Sequence, residues 1–253
     1  MQNLSIYAFD YRITDSDVDV FGELKFSKMF SFFQDAASLH TVELGCDRRI
    51  ILKKFNVVWI LMRLKVEVLK FPRLFEKIKI ETWPIKPKLR YERDFLIRDE
   101  SGEILVKANS SWIVMDIDTK EISKQNIISN KSFEYRSDRA IDGKLRNLKM
   151  PKNVNDKIAE RAIYISNIDI NRHVNNSIYP DMVFDALGLS FQSKNEVKSI
   201  EINYINEIKL EDKLIIYQRG FEDSNTIFIL GKTKNLSETG DEKIAFKFKI
   251  ITV

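Results

Sequence analysis

The sequence predicts an α+β protein in which one unit, a long helix with antiparallel strands, occurs twice. In each half of the 253-residue chain, apolar residues first recur at helical spacing and then alternate at every second position. Residues also repeat at one offset: Asp19 lies 150 positions before Asp169, and Asp35-Ala36 lies 150 positions before Asp185-Ala186. We interpret this offset as an internal duplication of a helix covered by a curved antiparallel sheet.

The first half begins with a predicted strand at residues 4–13. A predicted helix follows and ends near Gly45, with apolar residues at near-helical spacing: Phe26, Met29, Phe30, Phe33, Ala37 and Leu44. Because this helix is rich in aromatic residues, we expect other structure to enclose it. From Asn56 onward the period changes to two, which predicts strands at 59–69, 77–83, 91–98 and 104–116.

The second half repeats this order after a polar, irregular stretch at 117–155. A strand is predicted at 162–168, followed by a helix with Pro180 in its first turn and Gly188 at its end. Further strands are predicted at 198–204, 213–219, 226–233 and 243–251. In the last strand, alternation predicts one shared face for Ile244, Phe246, Phe248 and Ile250. The predicted organisation is an N-terminal repeat at 1–135, a linker at 136–155 and a C-terminal repeat at 156–253.

Composition and charge narrow the range of functions that the protein could have. Hydrophobic residues make up 44% of the chain and charged residues 31%, as in a folded soluble protein. The net charge of +4 is mild, and no finger spacing or aromatic RNA motif is present, which disfavours a nucleic-acid partner. Cys46 is the single cysteine, which favours a reducing cytoplasm and disfavours a Cys/His metal site. We find no secretory signal and no apolar run long enough to insert in a membrane.

A polar stretch at 169–179 precedes the second helix and is the candidate site. Asp169, Asn171 and His173 alternate, so an extended segment would project them to one side. The start of a helix adds backbone N–H groups and positive dipole, which could polarise a carbonyl. The competing interpretation is structural, since Asp and Asn before a helix are commonly turn formers and caps. The first copy has Phe21 and Glu23 at the matching offsets, which favours function in the second copy alone.

The residues of this stretch match a known family motif. The pattern Asp-x-Asn-x-His-Val-Asn-Asn-x-x-Tyr is met in full by residues 169–179. In the first half of the chain, softer matches to the N-terminal repeat of the same family occur in the family's order at residues 59–63, 71–72, 81–83 and 93–99. On these residues the chain resembles the acyl-acyl carrier protein (acyl-ACP) thioesterases of plants and bacteria. The resemblance implies a tandem (double) hotdog fold and hydrolysis of a fatty acyl-ACP to a free fatty acid and ACP. It also implies a catalytic C-terminal repeat and an N-terminal repeat that holds the substrate tunnel.

The resemblance also implies the site residues. The family carries a Glu-Tyr-Arg-Arg-Glu-Cys stretch on the strand after the helix, and residues 203–208 match it with Glu207 kept and Ile208 in place of the cysteine. Since an isoleucine cannot attack a thioester, we expect direct attack by water. Asp169 or Glu207 would be the base, a choice that the sequence leaves open, with Asn171 and His173 holding and positioning the reacting groups. Substrate contacts are expected from Asn175, Asn176, Tyr179, Trp59 and Arg63. His40, the second histidine, is expected to have a structural or surface role.

The implied partner is an acidic acyl carrier protein, and no metal or cofactor is required. Such a carrier would dock on a basic patch, for which the sequence offers Lys53-Lys54, residues 86–93 and residues 144–152. Three further points stay open at this stage: a monomer or a homodimer, an acyl-CoA thioesterase as the alternative enzyme, and a non-catalytic acyl-binding protein as the alternative class. A bacterial, cytoplasmic setting is expected.

Overall fold

The computed structural model describes residues 5–87, 90–125, 127–128, 134–221, 224–235 and 241–253. Its contacts divide the chain into two compact units, Met1–Leu145 and Arg146–Val253. Parts of three sequence predictions lie outside the described residues: Leu4 of the first strand, Lys88 of a basic stretch, and 129–133 of the irregular segment.

The first unit consists of one antiparallel sheet and two helices in its described part. The elements are β1 (Tyr7–Arg12), α1 (Phe26–Glu43), α2 (Arg48–Phe55), β2 (Val57–Val68), β3 (Lys77–Ile85), β4 (Tyr91–Asp99) and β5 (Ile104–Asp116). The strands are ordered β1-β3-β4-β5-β2, which confirms the predicted helix and strands. Helix α2 was not predicted. It is short and half of its residues are charged, and its start is set by the Asp47 side chain, which accepts a hydrogen bond from the Arg49 backbone N–H at 2.9 Å.

Helix α1 lies against the sheet of the first unit, as its aromatic content predicts. Its side chains Phe26, Phe30, Phe32 and Phe33 are buried, and the rings of Phe33 and Phe95 are 4.8 Å apart. His40, near the end of the helix, is also fully buried, so the expected surface role is wrong and the structural one stands. Its Nδ1 accepts a hydrogen bond from Arg93 at 2.9 Å.

The irregular segment after β5 is attached to the sheet by polar contacts. Asp94 is buried and pairs with Arg139 at 2.9 Å, and it also accepts from the Ala140 backbone N–H at 2.8 Å. The Trp83 indole N–H donates to the Asp138 carbonyl at 3.1 Å. Between β5 and the next strand, the described residues form no helix or strand, as predicted for a linker.

The second unit repeats the order of the first. Its elements are β6 (Asp156–Ala162), α3 (Tyr179–Leu187), α4 (Leu189–Lys194), β7 (Val197–Tyr204), β8 (Asp212–Phe221), β9 (Ser224–Asn235) and β10 (Lys243–Thr252). The strands are ordered β7-β10-β9-β8-β6 and pair in antiparallel fashion. Pro180 lies in the first turn of α3, and Gly188 ends it with φ of 76°, as predicted.

Two predictions in the second unit are wrong. The strand expected at 162–168 lies earlier, because Asn167 accepts a hydrogen bond from the Tyr164 backbone N–H at 3.0 Å and closes a 3₁₀ turn there. In β10, the pairing with β9 shifts between Ile244 and Phe246. This irregularity breaks the alternation, so Ile244 is 37% exposed while Phe246, Phe248 and Ile250 are fully buried.

Strands β9 and β10 approach each other closely at one glycine. A Cβ atom placed on Gly231 would lie 2.0 Å from the Phe246 ring. The absence of a side chain at this position therefore sets where the buried Phe246 ring can lie.

We predict that Gly231→Ala destabilises the second unit. Because the added methyl group overlaps a buried ring, the free energy of unfolding should fall by about 1–3 kcal/mol, the usual cost of overpacking. Urea denaturation followed by circular dichroism measures this loss. Lys234→Ala, at an exposed position on the same strand, is the control and should change the free energy by less than about 0.5 kcal/mol. Equal stability of the two variants would contradict the close approach.

Candidate active site

The candidate site begins with a tight turn, and the extended segment expected from the alternation of Asp169, Asn171 and His173 is wrong. The Asp169 N–H donates to the His173 carbonyl at 2.9 Å, and the Arg172 N–H donates to the Asp169 carbonyl at 2.9 Å. Arg172 has a left-handed backbone with φ of 64°. The Asp169 carboxylate accepts from the Asn171 N–H at 2.7 Å and from its side-chain Nδ2 at 3.2 Å. Asp169 and Asn171 are therefore brought together by chain reversal.

The first unit contains the same turn, which confirms the duplication. The Asp19 N–H donates to the Glu23 carbonyl at 2.8 Å, and Gly22 has φ of 75°. The Asp19 carboxylate accepts from the N–H groups of Phe21 at 2.9 Å and Glu23 at 3.1 Å. Because both copies keep the aspartate, its first task is to hold the turn.

His173 is positioned beside Glu207 by a backbone contact between two loops. The Val174 N–H donates to the Ile208 carbonyl at 2.8 Å, which fixes the end of the turn against the loop after β7. His173 Nε2 then lies 2.9 Å from Glu207 Oε2. The two side chains are 27% and 52% exposed, so water has access to the pair.

In the first unit, the residue at the position of His173 has a different partner. The Leu24 N–H donates to the Pro72 carbonyl at 2.9 Å, in the same manner as Val174 and Ile208. Here Glu23 pairs with Arg73 at 2.7 Å. An arginine that is bound to a carboxylate cannot act as a base, so the first unit keeps the turn without a histidine–carboxylate pair at this place.

A 3₁₀ turn, Asn176–Ile178, leads directly into α3 and is held by three residues. Asn175 is a cap, since its side-chain oxygen accepts from the Ser177 N–H and hydroxyl, both at 3.0 Å. The Asn176 carbonyl accepts from the hydroxyl of Tyr204 at 2.9 Å. Tyr204 was not predicted as a site residue, although it matches the tyrosine of the family stretch quoted above. That match could have identified it.

Tyr179 is 2% exposed and packs between two aromatic side chains. Its ring meets those of Tyr204 and Phe246 edge to face, with centroids 5.1 and 5.2 Å away. Burial raises the pKa of Tyr179, and the negative charges of Glu207, Asp169 and Asp212 raise it further. Tyr179 therefore stays protonated beside the carboxylates of the site.

The cysteine of this chain is not suited to nucleophilic attack. Cys46 is buried in the first unit, and burial raises the pKa of its thiol to about 11. Ile208 is buried too, and its carbonyl is used by Val174. The thiolate needed for a covalent route is therefore disfavoured in the described part of the chain.

The remaining predicted residues lie in the first unit. The Trp59 indole N–H donates to the Cys46 carbonyl at 3.1 Å, and its ring packs on Tyr91. Arg63 donates to the Leu145 carbonyl at 3.3 Å. Of the basic stretches expected to meet a carrier, Lys53 and Lys54 are exposed, but Arg93 is buried and that part of the expectation is wrong.

The part of the chain that the structure describes contains neither a metal-binding cluster nor a membrane-spanning helix. No group of His, Cys, Asp and Glu in these ranges is arranged to hold a metal ion. None of the helices within them has the length and hydrophobicity that a membrane crossing requires.

Taken together, the two α+β units and the polar site in the second unit define a tandem hotdog protein with a candidate catalytic centre. Family comparison identifies it further. Residues 5–128 match the acyl-ACP thioesterase N-terminal domain and residues 151–252 match the C-terminal domain, so the chain belongs to the acyl-ACP thioesterase family.

Relatives and solved structures agree with this assignment. The chain is 24% identical over 203 residues to oleoyl-acyl carrier protein thioesterase 2 of Arabidopsis thaliana, covering 72% of this chain and 54% of that protein. It is 26% identical over 203 residues to the dodecanoyl-[acyl-carrier-protein] hydrolase of Cinnamomum camphora, covering 74% and 52%. The chain thus spans about half the length of these curated relatives.

The fold is shared with solved structures over nearly the full length of the chain. An acyl-ACP thioesterase from Bacteroides thetaiotaomicron superposes with a TM-score of 0.86 at 21% identity, covering 98% of each chain. The 12:0-ACP thioesterase from Umbellularia californica gives 0.84 at 18% identity, covering 100% of this chain and 98% of that one. These similarities confirm the tandem hotdog fold.

We predict that Asp169→Ala and Asp19→Ala destabilise the protein by similar amounts, since each removes two hydrogen bonds of a turn. The loss should be about 1–2 kcal/mol in each case, and urea denaturation measures it. Asp169→Asn is the control, because its side-chain oxygen can still accept from the Asn171 N–H. A loss for Asp19→Ala with none for Asp169→Ala would mean that Asp169 does not serve the turn.

Proposed function

We propose that the protein hydrolyses the thioester of a fatty acyl-ACP to a free fatty acid and ACP. The observation that carries this proposal is the 2.9 Å contact between His173 and Glu207 at the start of α3, in a member of the acyl-ACP thioesterase family. A carboxylate paired with an imidazole, open to water and next to a helix start, has the parts that hydrolysis needs.

Glu207 is the base in this proposal. Asp169 is less suited, because its two carboxylate oxygens already accept from Asn171 at 2.7 and 3.2 Å. Its counterpart Asp19 makes a similar turn in a unit without the histidine. Glu207 is bound by His173 through one oxygen and is half exposed, which leaves room for a water on the carboxylate.

The reaction then proceeds without a covalent enzyme intermediate. Glu207 takes a proton from water as the water oxygen bonds to the thioester carbonyl carbon, and the carbonyl oxygen becomes an oxyanion. The C–S bond breaks as the oxyanion collapses, and the protonated pair of Glu207 and His173 returns a proton to the leaving thiolate. General-base help of this kind contributes roughly 10²–10⁴-fold. Asn171, held by Asp169, positions the water or the carbonyl through its amide.

The substrate contacts follow from the same placement. Asn175 and Asn176 lie in the turn that leads into α3, and Tyr179 is the first residue of α3. We therefore assign these three residues to contacts with the thioester group of the substrate. The N-terminal repeat, which has no His–Glu pair at the matching position, holds the acyl chain in this proposal, with Trp59 and Arg63 as contacts. We keep 1–135, 136–155 and 156–253 as the functional division of the chain.

The proposed partner is the acidic acyl carrier protein, which would dock on exposed lysines such as Lys53 and Lys54. A long-range attraction of this kind raises the association rate and weakens with salt. We also propose a bacterial and cytoplasmic setting, which the buried, unpaired Cys46 suits. Whether the protein acts as a monomer or a homodimer does not change the chemistry.

We predict that Glu207→Gln lowers kcat for acyl-ACP by roughly 10²–10⁴-fold, because the base is lost while the shape of the side chain is kept. Thiol release from C6 to C18 acyl-ACP measures this. Glu211→Gln is the matched control, since Glu211 is an exposed carboxylate in the same loop, and it should retain full activity.

A parallel set of acyl-CoA substrates separates the alternatives. Faster release from acyl-CoA than from acyl-ACP would assign the protein to acyl-CoA hydrolysis. Binding of acyl-ACP without release from either set would make it an acyl-binding protein. Equal loss in Glu207→Gln and Glu211→Gln would contradict Glu207 as the base.

A further inference from the structure

The side chain of Tyr179 is held in one place. Its ring contacts Tyr204 and Phe246 edge to face at 5.1 and 5.2 Å. Phe246 itself is fixed by its close approach to Gly231, and Tyr204 by its hydrogen bond to the Asn176 carbonyl. Since Tyr179 is also the first residue of α3, its backbone is fixed by the helix. The phenol is thus a rigid group at the helix start.

The hydroxyl of Tyr179 differs from that of Tyr204 in its bonding. Tyr204 donates to Asn176 at 2.9 Å, whereas the Tyr179 hydroxyl makes no hydrogen bond with any of the residues that the structure describes. Although Tyr179 as a whole is 2% exposed, its hydroxyl oxygen is not among the fully buried side-chain atoms without a partner, so the hydroxyl retains accessible surface. The hydroxyl is therefore free of protein partners among the described residues and open to a small molecule.

The contacts of Tyr179 place it beside the site, because its ring meets that of Tyr204, whose hydroxyl donates to the Asn176 carbonyl. Besides burial, the carboxylates of Glu207, Asp169 and Asp212 act on it and raise its pKa. The phenol therefore keeps its proton during the reaction and acts as a hydrogen-bond donor. Its hydroxyl makes no hydrogen bond to these carboxylates, so the donor is available to another oxygen.

The fold itself does not require a hydroxyl at this position. At the offset of the duplication, the first unit has Met29, which is fully buried in α1. That unit also has Glu23 where the second has His173. The hydroxyl and the imidazole thus occur together in the second unit and are both absent at the matching positions in the first.

We propose that Tyr179 is a further catalytic residue, whose hydroxyl donates a hydrogen bond to the thioester carbonyl oxygen as that oxygen becomes an oxyanion. This rests on the proposed thioesterase function and deepens it. The bond strengthens as negative charge develops, and no proton is transferred, because the alkoxide collapses and expels the thiolate. Tyr179 thereby adds a side-chain donor to the backbone N–H groups of the helix start.

The experiment compares Tyr179→Phe with the wild-type chain on acyl-ACP. Loss of one oxyanion donor typically lowers kcat by about 10²–10³-fold, and we expect this loss with KM and the melting temperature little changed. Tyr179→Met, which copies Met29 of the first unit, should lose the same activity with a different side-chain shape. Tyr217→Phe, which removes a hydroxyl bonded to Glu242, is the control and should retain activity.

The outcomes separate this proposal from the function on which it rests. If the wild-type chain releases no thiol from acyl-ACP or acyl-CoA, the proposed function fails, and the role of Tyr179 fails with it. If the wild type is active and the folded Tyr179→Phe variant has near wild-type kcat, the role of Tyr179 alone is overturned. The same follows if the loss is confined to KM, or if Tyr179→Met keeps its activity.

An acyl ester of nitrothiophenol tests which atom receives the hydrogen bond. This leaving group departs without protonation, so a donor to the carbonyl oxygen is still needed and a donor to sulfur is not. We expect the fold-loss in Tyr179→Phe to persist with this ester. If the loss disappears, Tyr179 serves the leaving thiol and the carbonyl assignment is wrong.

Discussion

The hydrogen bond from the Val174 N–H to the Ile208 carbonyl is the contact on which the site depends. It joins the turn before α3 to the loop after β7, and neither segment alone brings an imidazole to a carboxylate. Because this hydrogen bond fixes the two backbone segments side by side, His173 Nε2 lies 2.9 Å from Glu207 Oε2. The isoleucine that replaces the family's cysteine contributes its carbonyl, so the scaffold persists although a nucleophile at this position does not.

The duplication shows how one scaffold supports two outcomes. Both units close the same turn with an aspartate, and both tie the turn to the following loop by a backbone hydrogen bond. In the first unit the facing side chains are Glu23 and Arg73, a pair whose charges satisfy each other. In the second unit they are His173 and Glu207, which can exchange a proton. The two units thus differ in the side chains that they place on a shared framework.

Much of this was predictable from the sequence, and the failures have physical causes. Helix α1 and the long strands follow from local periodicity, and the motif at 169–179 selects the candidate site residues, whose catalytic role stays a prediction. The alternation of Asp169 and His173 was misread, because a residue such as Arg172 can adopt a left-handed backbone and close a turn. The hydrogen bond from Tyr204 to the Asn176 carbonyl joins residues that are 28 positions apart, and the periodicity of a sequence gives no information about such a contact.

The central claim is that His173 and Glu207 act as one unit, and a double-mutant cycle tests it most directly. Thiol release from acyl-ACP would be measured for His173→Ala, Glu207→Gln and the double variant, with folding checked in each. If the two side chains work together, the double variant should be about as slow as the slower single variant, because the second change removes nothing further. If the two losses multiply, the residues act independently, and the contact is not the basis of catalysis.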